Sequence, residues 1–284
     1  MTHTGGIPDH EKPLYQLIKR GKNICGYDRG SRYFITHDRE SRYSEPTIYE
    51  ALEVLKNQPT PLFPPGSRYQ YSDAGYVLLA LIIEKVAGLS YRNFLKRNIF
   101  SPLSMSGSDV FDQTKPKVKN RATGYKTTNS IIRTSGRCRD NRDDSKGVTR
   151  KFEILDYDPL NFIVGDEGVY STIEDMIKWS RAWEEEILVS RKSLAEAMTP
   201  AKLISGNFGK AGVSWLFGND LNRFRLKAGM TNIVYQDGAW VGFRNIILKI
   251  PAGKLTVIIL SNRTDLDTET KRVSAAYSVA QKFF

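Results

Sequence analysis

The chain is poor in the residues that build disulfide scaffolds, zinc sites and histidine triads. It has only two cysteines, Cys25 and Cys138, whose spacing fits neither a disulfide framework nor a metal-ligand pattern. All three histidines (His3, His10 and His37) lie in the first 37 residues. This placement argues against a Ser-His-Asp triad drawn from the later chain and against a histidine-rich zinc site. We therefore expect no metal and no other cofactor.

Long apolar runs are also missing. The longest one, from Val77 to Ile83, falls well short of the ~20 residues that a membrane span needs. The first residues lack a charged segment followed by an apolar stretch, so no signal peptide is predicted and the cellular location stays open. With 284 residues, 40% of them hydrophobic, and four tryptophans, the chain can bury a sizeable core.

Positive charge is unevenly distributed. Residues 115–151 contain twelve Lys or Arg and three Asp, which supplies +9 of the formal net charge of +11. We found no helical or strand period there, and the stretch is predicted to be a long basic loop. It is either a solvated insertion or a site for an anion, a nucleic acid or an anionic membrane. Because aromatic interleaving and nucleic-acid-binding motifs are absent, no nucleic-acid partner is expected.

The order of predicted elements indicates an α+β fold. Residues 1–212 read as mainly helices and loops, and residues 213–284 as an antiparallel sheet with a C-terminal helix from about Asp267 to Phe284. Capping patterns mark several helix starts. They are Thr47-x-x-Glu50, Ser90, Ser171-x-x-Glu174 and Ser193-x-x-Glu196, and the helix that follows Asp73 is predicted to end at Gly88. Predicted strands cover 213–217, 223–226, 231–236, 243–250 and 255–260.

One polar triplet stands out against this background. Tyr71-Ser72-Asp73 follows a Pro64-Pro65-Gly66 turn and immediately precedes a strongly apolar helix. Ser72 or Asp73 would make a good helix cap, with Tyr71 as a half-buried aromatic. A phenol, a hydroxyl and a carboxylate on a rigid loop could equally take part in proton transfer.

The segment from Phe63 to Tyr91 resembles the second active-site motif of the serine β-lactamase and penicillin-binding-protein superfamily, especially its class C-like and esterase-like branch. Four more strings resemble other parts of that family in the same order. They are Thr2 to Pro8, Gly165 to Thr172, Gln236 to Arg244 as the third motif, and Leu260 to Asn262 in the final strand. The resemblance spans nearly the whole chain and implies a β-lactamase/transpeptidase-like fold.

The resemblance also implies roles for individual residues. Tyr71 would be the proton shuttle, Asp73 the polar group that orients substrate, and the Ala239 N–H one of two oxyanion donors. The remaining substrate-binding positions would be Ser72, Gln236, Asp237 and Gly238, the last of which lets substrate approach the strand closely.

Two departures from the family pattern shape the functional expectation. No Ser-x-x-Lys occurs in the chain, so the nucleophile, its lysine and the other oxyanion donor are missing. Thr114-x-x-Lys117 and Thr123-x-x-Lys126 fit a threonine variant, but they fall in the basic stretch and are treated as coincidental. Gln236 stands where the family has Lys or His, and Asp73 where it usually has Asn. Both changes argue against recognition of a substrate carboxylate.

We therefore expect an ester or amide hydrolase of this superfamily that is incomplete and inactive in this form. Residues 1–284 would form a single incomplete domain that lacks the N-terminal helix and the first strands of the family fold. A small-molecule ester or amide would be the substrate, and the exposed sheet edge would favour self-association. The alternatives are a non-catalytic binding relative and a basic surface-binding protein acting through residues 115–151.

Overall fold

The structure is a computed structural model that describes residues 1–20, 46–59, 61–112, 118–131, 148–209, 211–212, 215–217, 233–266 and 268–283. Several sequence predictions fall outside the described residues. They concern Cys25, Cys138, His37, the Thr114-x-x-Lys117 pattern, the strand at 223–226 and the two ends of the predicted C-terminal helix, Asp267 and Phe284.

Seven α-helices are described, most of them in the first two thirds of the chain. They are α1 (Glu11–Arg20), α2 (Ile48–Lys56), α3 (Ala74–Ala87), α4 (Tyr91–Leu95), α5 (Ile173–Glu184), α6 (Arg191–Ala197) and α7 (Glu269–Ala280). One π-helical turn, Lys96–Phe100, continues α4. Within the described residues no single helix is long and apolar enough to cross a bilayer. Among the helices that the structure describes, one bent pair, α3 with Tyr91–Phe100, has the required length and composition, and its two parts meet at 75°.

Local capping chemistry explains where these helices begin and end. The Thr47 side chain accepts the Glu50 N–H while the Glu50 side chain accepts the Thr47 N–H, which confirms the predicted capping box. Ser90 caps α4 as predicted. Gly88 ends α3 in the left-handed conformation, with φ 64° and its N–H donated to the Glu84 carbonyl.

Two other predicted caps are wrong by a few residues. Helix α5 is capped by Thr172, whose hydroxyl accepts the Asp175 N–H, because the preceding Ser171 hydroxyl is engaged with Ser108 at 2.8 Å. Helix α6 is capped by Ser190, and Ser193 lies inside it with its N–H donated to the Ser190 hydroxyl. In both cases a neighbouring serine or threonine satisfies the first free N–H groups.

The C-terminal part forms the predicted antiparallel sheet. Strands β5 (Leu216–Phe217), β6 (Val234–Trp240), β7 (Phe243–Ile250) and β8 (Leu255–Ser261) pair in that order. In this register Gln236 faces Ile247 and Gly238 faces Asn245. Helix α7 lies across the sheet and packs on β7 through Leu248, Val273 and Ala276, all of which are almost completely buried. Burial of a side chain such as Leu248 stabilises the fold by ~2 kcal/mol.

Two further strand pairs lie within the described residues. Strands β1 (Asp109–Val110) and β4 (Val169–Tyr170) pair antiparallel, and so do β2 (Tyr125–Ile131) and β3 (Val148–Ile154).

The β2–β3 hairpin corrects the prediction that residues 115–151 lack regular structure. Within that stretch, residues 125–131 and 148–151 belong to strands, and long-range hydrogen bonds hold β2 in place. The Tyr125 N–H donates to the Asn262 carbonyl at 2.8 Å, and the Thr127 hydroxyl donates to Asp265 at 2.6 Å. Because these partners are far from β2 in the sequence, the strand shows no alternation of apolar and polar residues from which it could be predicted.

Candidate active site

The Tyr71-Ser72-Asp73 triplet leads directly into the first turn of α3. Asp73 makes no side-chain cap bond, and the Ser72 hydroxyl accepts the Gly75 N–H at 3.3 Å. The Tyr71 hydroxyl instead donates to the Asp73 carboxylate at 2.6 Å. Of the two interpretations of the triplet, capping therefore falls to Ser72, while Tyr71 and Asp73 form a short, directed phenol–carboxylate pair.

This pair sets the protonation state of Tyr71. Desolvation and then the Asp73 carboxylate raise the pKa of the phenol, with smaller contributions from Asp166 and Asp237. Because 57% of the tyrosine remains exposed, its hydrogen bond to Asp73 is the firmer of the two main causes. The phenol is thus protonated at neutral pH and acts as a donor until another group takes its proton.

His3 supports the same loop, a contribution that the sequence did not assign. Its ring lies 4.5 Å from the Tyr71 ring, and the Ser72 N–H donates to His3 Nδ1 at 3.2 Å. Desolvation lowers the pKa of His3, which keeps Nδ1 available as an acceptor. The resemblance of Thr2 to Pro8 to the family pattern pointed to this segment, but it assigned no role to His3.

Strand β6 presents two faces, and they separate the predicted third-motif residues. Gln236 is exposed, and a Cβ added at Gly238 would meet no heavy atom within 4 Å. Space is therefore open above the face of β6 that carries Gln236 and Gly238. Ala239 is also exposed, but strand alternation puts its side chain on the other face, together with that of Asp237.

Asp237 lies on the opposite face of β6, as strand alternation requires. Its carboxylate accepts the Arg272 Nε–H of α7 at 2.7 Å, and the two side chains are only 13% and 7% exposed. Tyr235, two residues earlier, likewise donates to Glu269 of α7. The structure thus does not bring the Asp237 side chain to the face of Gln236, and the ion pair fixes the strand from behind.

An acidic loop, Gly165 to Glu167, packs against α3. Gly165 has φ +111°, and a Cβ there would lie 2.6 Å from the Tyr76 carbonyl, so the loop presses directly on the helix. Asp166 follows, and desolvation together with the Asp73 carboxylate raises its pKa well above the usual range. The pKa of Glu167 is raised as well, by desolvation and then by Asp166.

His10 and Tyr15 approach this loop from α1 and the segment before it. His10 Nε2 lies 3.6 Å from Asp166 Oδ2, and desolvation lowers the pKa of His10 to about 4 despite the nearby Asp9. The Tyr15 hydroxyl donates to both oxygens of Asp158 at 2.8 Å. The sequence indicates the Gly165 to Thr172 string by its family resemblance. The burial of Asp166 and Glu167 within it depends on partners far away in the sequence, which no local pattern predicts.

The segment after Asp158 also ties the two halves of the site together. The Trp240 Nε1–H at the end of β6 donates to Asn161 at 2.6 Å.

As for metals, in the part of the chain that the structure describes no group of three or more His, Cys, Asp or Glu is arranged to hold an ion.

The comparisons with known proteins agree with this architecture. The model of the Beta-lactamase family matches residues 1–281. The chain belongs to this family. The superfamily resemblance and the β-lactamase/transpeptidase-like α+β fold are thereby confirmed.

Individual relatives show the extent of the similarity. The chain is 29% identical to Penicillin-binding protein 4* of Bacillus subtilis (strain 168) over 224 residues, which are 78% of this chain and 45% of that protein. It therefore spans about half the length of this curated relative.

Two solved structures share the fold at low identity. The octameric penicillin-binding protein homologue from Pyrococcus abyssi has a TM-score of 0.65 at 22% identity, over 99% of this chain and 54% of that one. The D-stereospecific amidohydrolase from Streptomyces sp. has a TM-score of 0.64 at 18% identity, over 97% and 70%.

Proposed function

We propose that the start of α3 and strand β6 line one cleft, and that this cleft is part of the acyl-enzyme site of a serine hydrolase acting on an ester or an amide. The observation that carries this proposal is the Tyr71–Asp73 hydrogen bond at 2.6 Å at the start of α3, in a chain that the Beta-lactamase family matches over residues 1–281. A phenol held by a carboxylate is suited to moving a proton to or from a reacting oxygen or nitrogen.

Of the other predicted residues, some are proposed to contact substrate and others only to hold the site in position. The Ala239 N–H would bind the developing oxyanion, and Gly238 would leave room for the substrate beside the strand. Gln236 would offer a neutral hydrogen bond where a cation would otherwise attract a carboxylate. Ser72 contributes through the helix start, and Asp237 through the position of β6, so neither side chain is assigned to substrate.

The nucleophile is the part of this chemistry that the 284 residues do not contain. Because no Ser-x-x-Lys occurs in the sequence, we expect these residues alone to form no acyl-enzyme. Incubation with a fluorescent penicillin and a fluorophosphonate probe tests this, with an active serine β-lactamase as the positive control. Covalent attachment of either probe to this chain would contradict the expectation.

Ligand binding at the cleft is tested separately by amide NMR with a panel of small esters and amides. Signals of Gly238, Ala239 and Tyr71 are expected to shift. Gly238→Val places a side chain in the open space above β6 and should abolish the shifts without unfolding the protein. Ala195→Val also introduces a valine, on the exposed face of α6, and should leave them unchanged. Shifts that cluster elsewhere, or that survive in Gly238→Val, would overturn the proposed site.

A non-catalytic binding relative is the second candidate, favoured by the missing Ser-x-x-Lys together with the neutral Gln236. Binding at Gly238 and Ala239 without reaction, even when a serine nucleophile is supplied on a joined helix, would support it. A basic surface-binding role for residues 115–151 stays a prediction, checked by salt-dependent retention on heparin.

Self-association through the exposed edge of β8 also stays a prediction. Among the described strands, β8 pairs only with β7, and the Pyrococcus abyssi homologue is described as octameric. Sedimentation of the purified chain at several concentrations measures it directly.

A further inference from the structure

Residues 201–209 form a hairpin that carries two exposed apolar side chains at its tip. Its arms pair at Lys202 and Phe208, and Gly206, with φ +87°, lies in the turn between them. A Cβ added at Gly206 would meet no heavy atom within 4 Å, so the turn projects into solvent. Ile204 is 77% exposed and Phe208 is 67% exposed. Single exposed apolar residues are common on protein surfaces, but here two of them share one projecting tip.

The 201–209 hairpin is joined to the loop that precedes Tyr71. The Ile204 N–H donates to the Gly66 carbonyl at 2.9 Å, and the Gly66 N–H donates to the Thr4 carbonyl at 2.7 Å. The Ile204 side chain lies over Gly66, where an added Cβ would be 3.4 Å from it. These contacts hold the hairpin against the loop that leads to the start of α3.

The backbone of the hairpin is hydrogen-bonded within itself. The Leu203 N–H donates to the Asn207 carbonyl at 2.8 Å, and the Gly206 N–H donates to the Leu203 carbonyl at 2.9 Å. At the base, the Gly209 N–H donates to the Ala201 carbonyl at 2.7 Å. Because these N–H groups do not depend on water, the tip can enter a less polar medium without leaving them unpaired.

The charge around the tip is positive. Lys202 lies directly opposite Phe208, so the two side chains stand on the same side of the hairpin. Arg68 is exposed in the adjoining loop, and Lys202 is exposed as well. The two stretches of sequence that meet here contain no Asp or Glu; they are residues 54–72 and 197–212. An anionic surface would therefore meet no carboxylate from either stretch.

We propose that the 201–209 hairpin docks on the surface of an anionic lipid bilayer. Ile204 and Phe208 enter the boundary between headgroups and acyl chains, and Lys202 and Arg68 meet the lipid phosphates. A lysine beside an inserted aromatic ring can keep its methylene stem in the apolar layer while its ammonium reaches the headgroups.

The size of the tip favours a lipid surface over a protein partner. A stable protein interface buries ~800 Å² on each partner, which two side chains on a narrow projection do not supply. Interfacial binding to lipid needs only a small inserted apolar area together with attraction between cations and anionic headgroups. The docking involves no residue of the proposed cleft and is measured without any substrate.

Flotation of the full chain with vesicles tests the docking. We expect binding to vesicles of phosphatidylcholine and phosphatidylglycerol in equal parts, and at least about tenfold weaker binding to phosphatidylcholine alone. Ile204→Ser/Phe208→Ser keeps every charge and should weaken binding to the anionic vesicles at least about tenfold, a factor that equals ~1.4 kcal/mol. Val86→Ser/Phe283→Ser also removes one exposed aliphatic and one exposed aromatic side chain, elsewhere on the surface, and should leave binding unchanged. Lys202→Gln should weaken it about fivefold, the factor for ~1 kcal/mol per cation.

A second measurement separates insertion from attraction by charge alone. Phe208→Trp adds an indole at the tip, and lipids brominated on their acyl chains should quench this added fluorescence, relative to the wild type, in anionic vesicles. Vesicle binding that persists in Ile204→Ser/Phe208→Ser, without quenching in Phe208→Trp, would assign the binding to another basic surface, such as residues 115–151, and overturn the inference. It would equally be overturned if no vesicles bind, or if the double serine variant loses self-association and not lipid binding, since the tip would then be an interface between copies.

Discussion

His10 should make the stability of the protein depend on pH in a window where few other groups titrate. The side chain is 1% exposed, and desolvation lowers its pKa from 6.5 to about 4. In the unfolded chain the imidazole returns to its ordinary pKa. Between these two values the unfolded state therefore binds more protons than the folded state, so the free energy of unfolding falls as the pH decreases.

The size of the effect follows from the two pKa values. At about pH 7.5 the imidazole is neutral in both states, and its contribution to stability is fully present. At about pH 5 it is ~97% protonated when unfolded but only ~10% protonated when folded, which costs ~2 kcal/mol of stability. Below about pH 4 the loss levels off near 3 kcal/mol, because both states then carry the proton.

Urea unfolding of the wild type and of His10→Gln at these pH values measures the effect. Asp166 and Glu167 have raised carboxyl pKa values and so oppose the trend, but they are present in both proteins and largely cancel in the difference. We expect the stability difference between wild type and variant to shrink by ~2 kcal/mol from about pH 7.5 to about pH 5. Parallel pH profiles for the two proteins would refute the reasoning.

Two further predictions concern residues that hold the site in place. Asp237→Asn leaves Arg272 buried without its partner and should lower the free energy of unfolding by ~3 kcal/mol; recovery in the double variant Asp237→Leu/Arg272→Met would show that the loss comes from the unpaired charge. His3→Ala removes the acceptor of the Ser72 N–H and the ring beside Tyr71, so the Ser72 amide should exchange hydrogen about five times faster, corresponding to one hydrogen bond of ~1 kcal/mol. An unchanged Ser72 exchange rate would contradict this role for His3.

The features that sequence reasoning predicted well are those that depend on near neighbours. The Thr47 capping box needs only residues three apart, and the β6–β8 sheet needs only alternation and short connections. The misplaced caps at Ser171 and Ser193 show the limit of this approach. Where several hydroxyl residues stand together, the one that caps is decided by what the others already bind.

The site itself was only half predictable. Tyr71 and Asp73 lie two residues apart, so their pairing followed from the motif. Asp237 was assigned to substrate by resemblance, although its position next to Gln236 in a strand already directed it to the other face. The burial of Asp166 was not predictable, because it results from the packing of its loop on α3 and from the contact with His10, which lies more than 150 residues earlier.

The ion pair between Arg272 of α7 and Asp237 of β6 links the last helix to the strand that carries the proposed oxyanion donor. Arg272 grips the strand through Asp237, directly behind the residues proposed to receive the oxyanion. A shift of α7 along the sheet would thus be transmitted to Gly238 and Ala239 as a change in the pitch of the strand. Extending or shortening the chain after α7 would therefore change the position of Gly238 and Ala239, although α7 lies on the far side of the sheet.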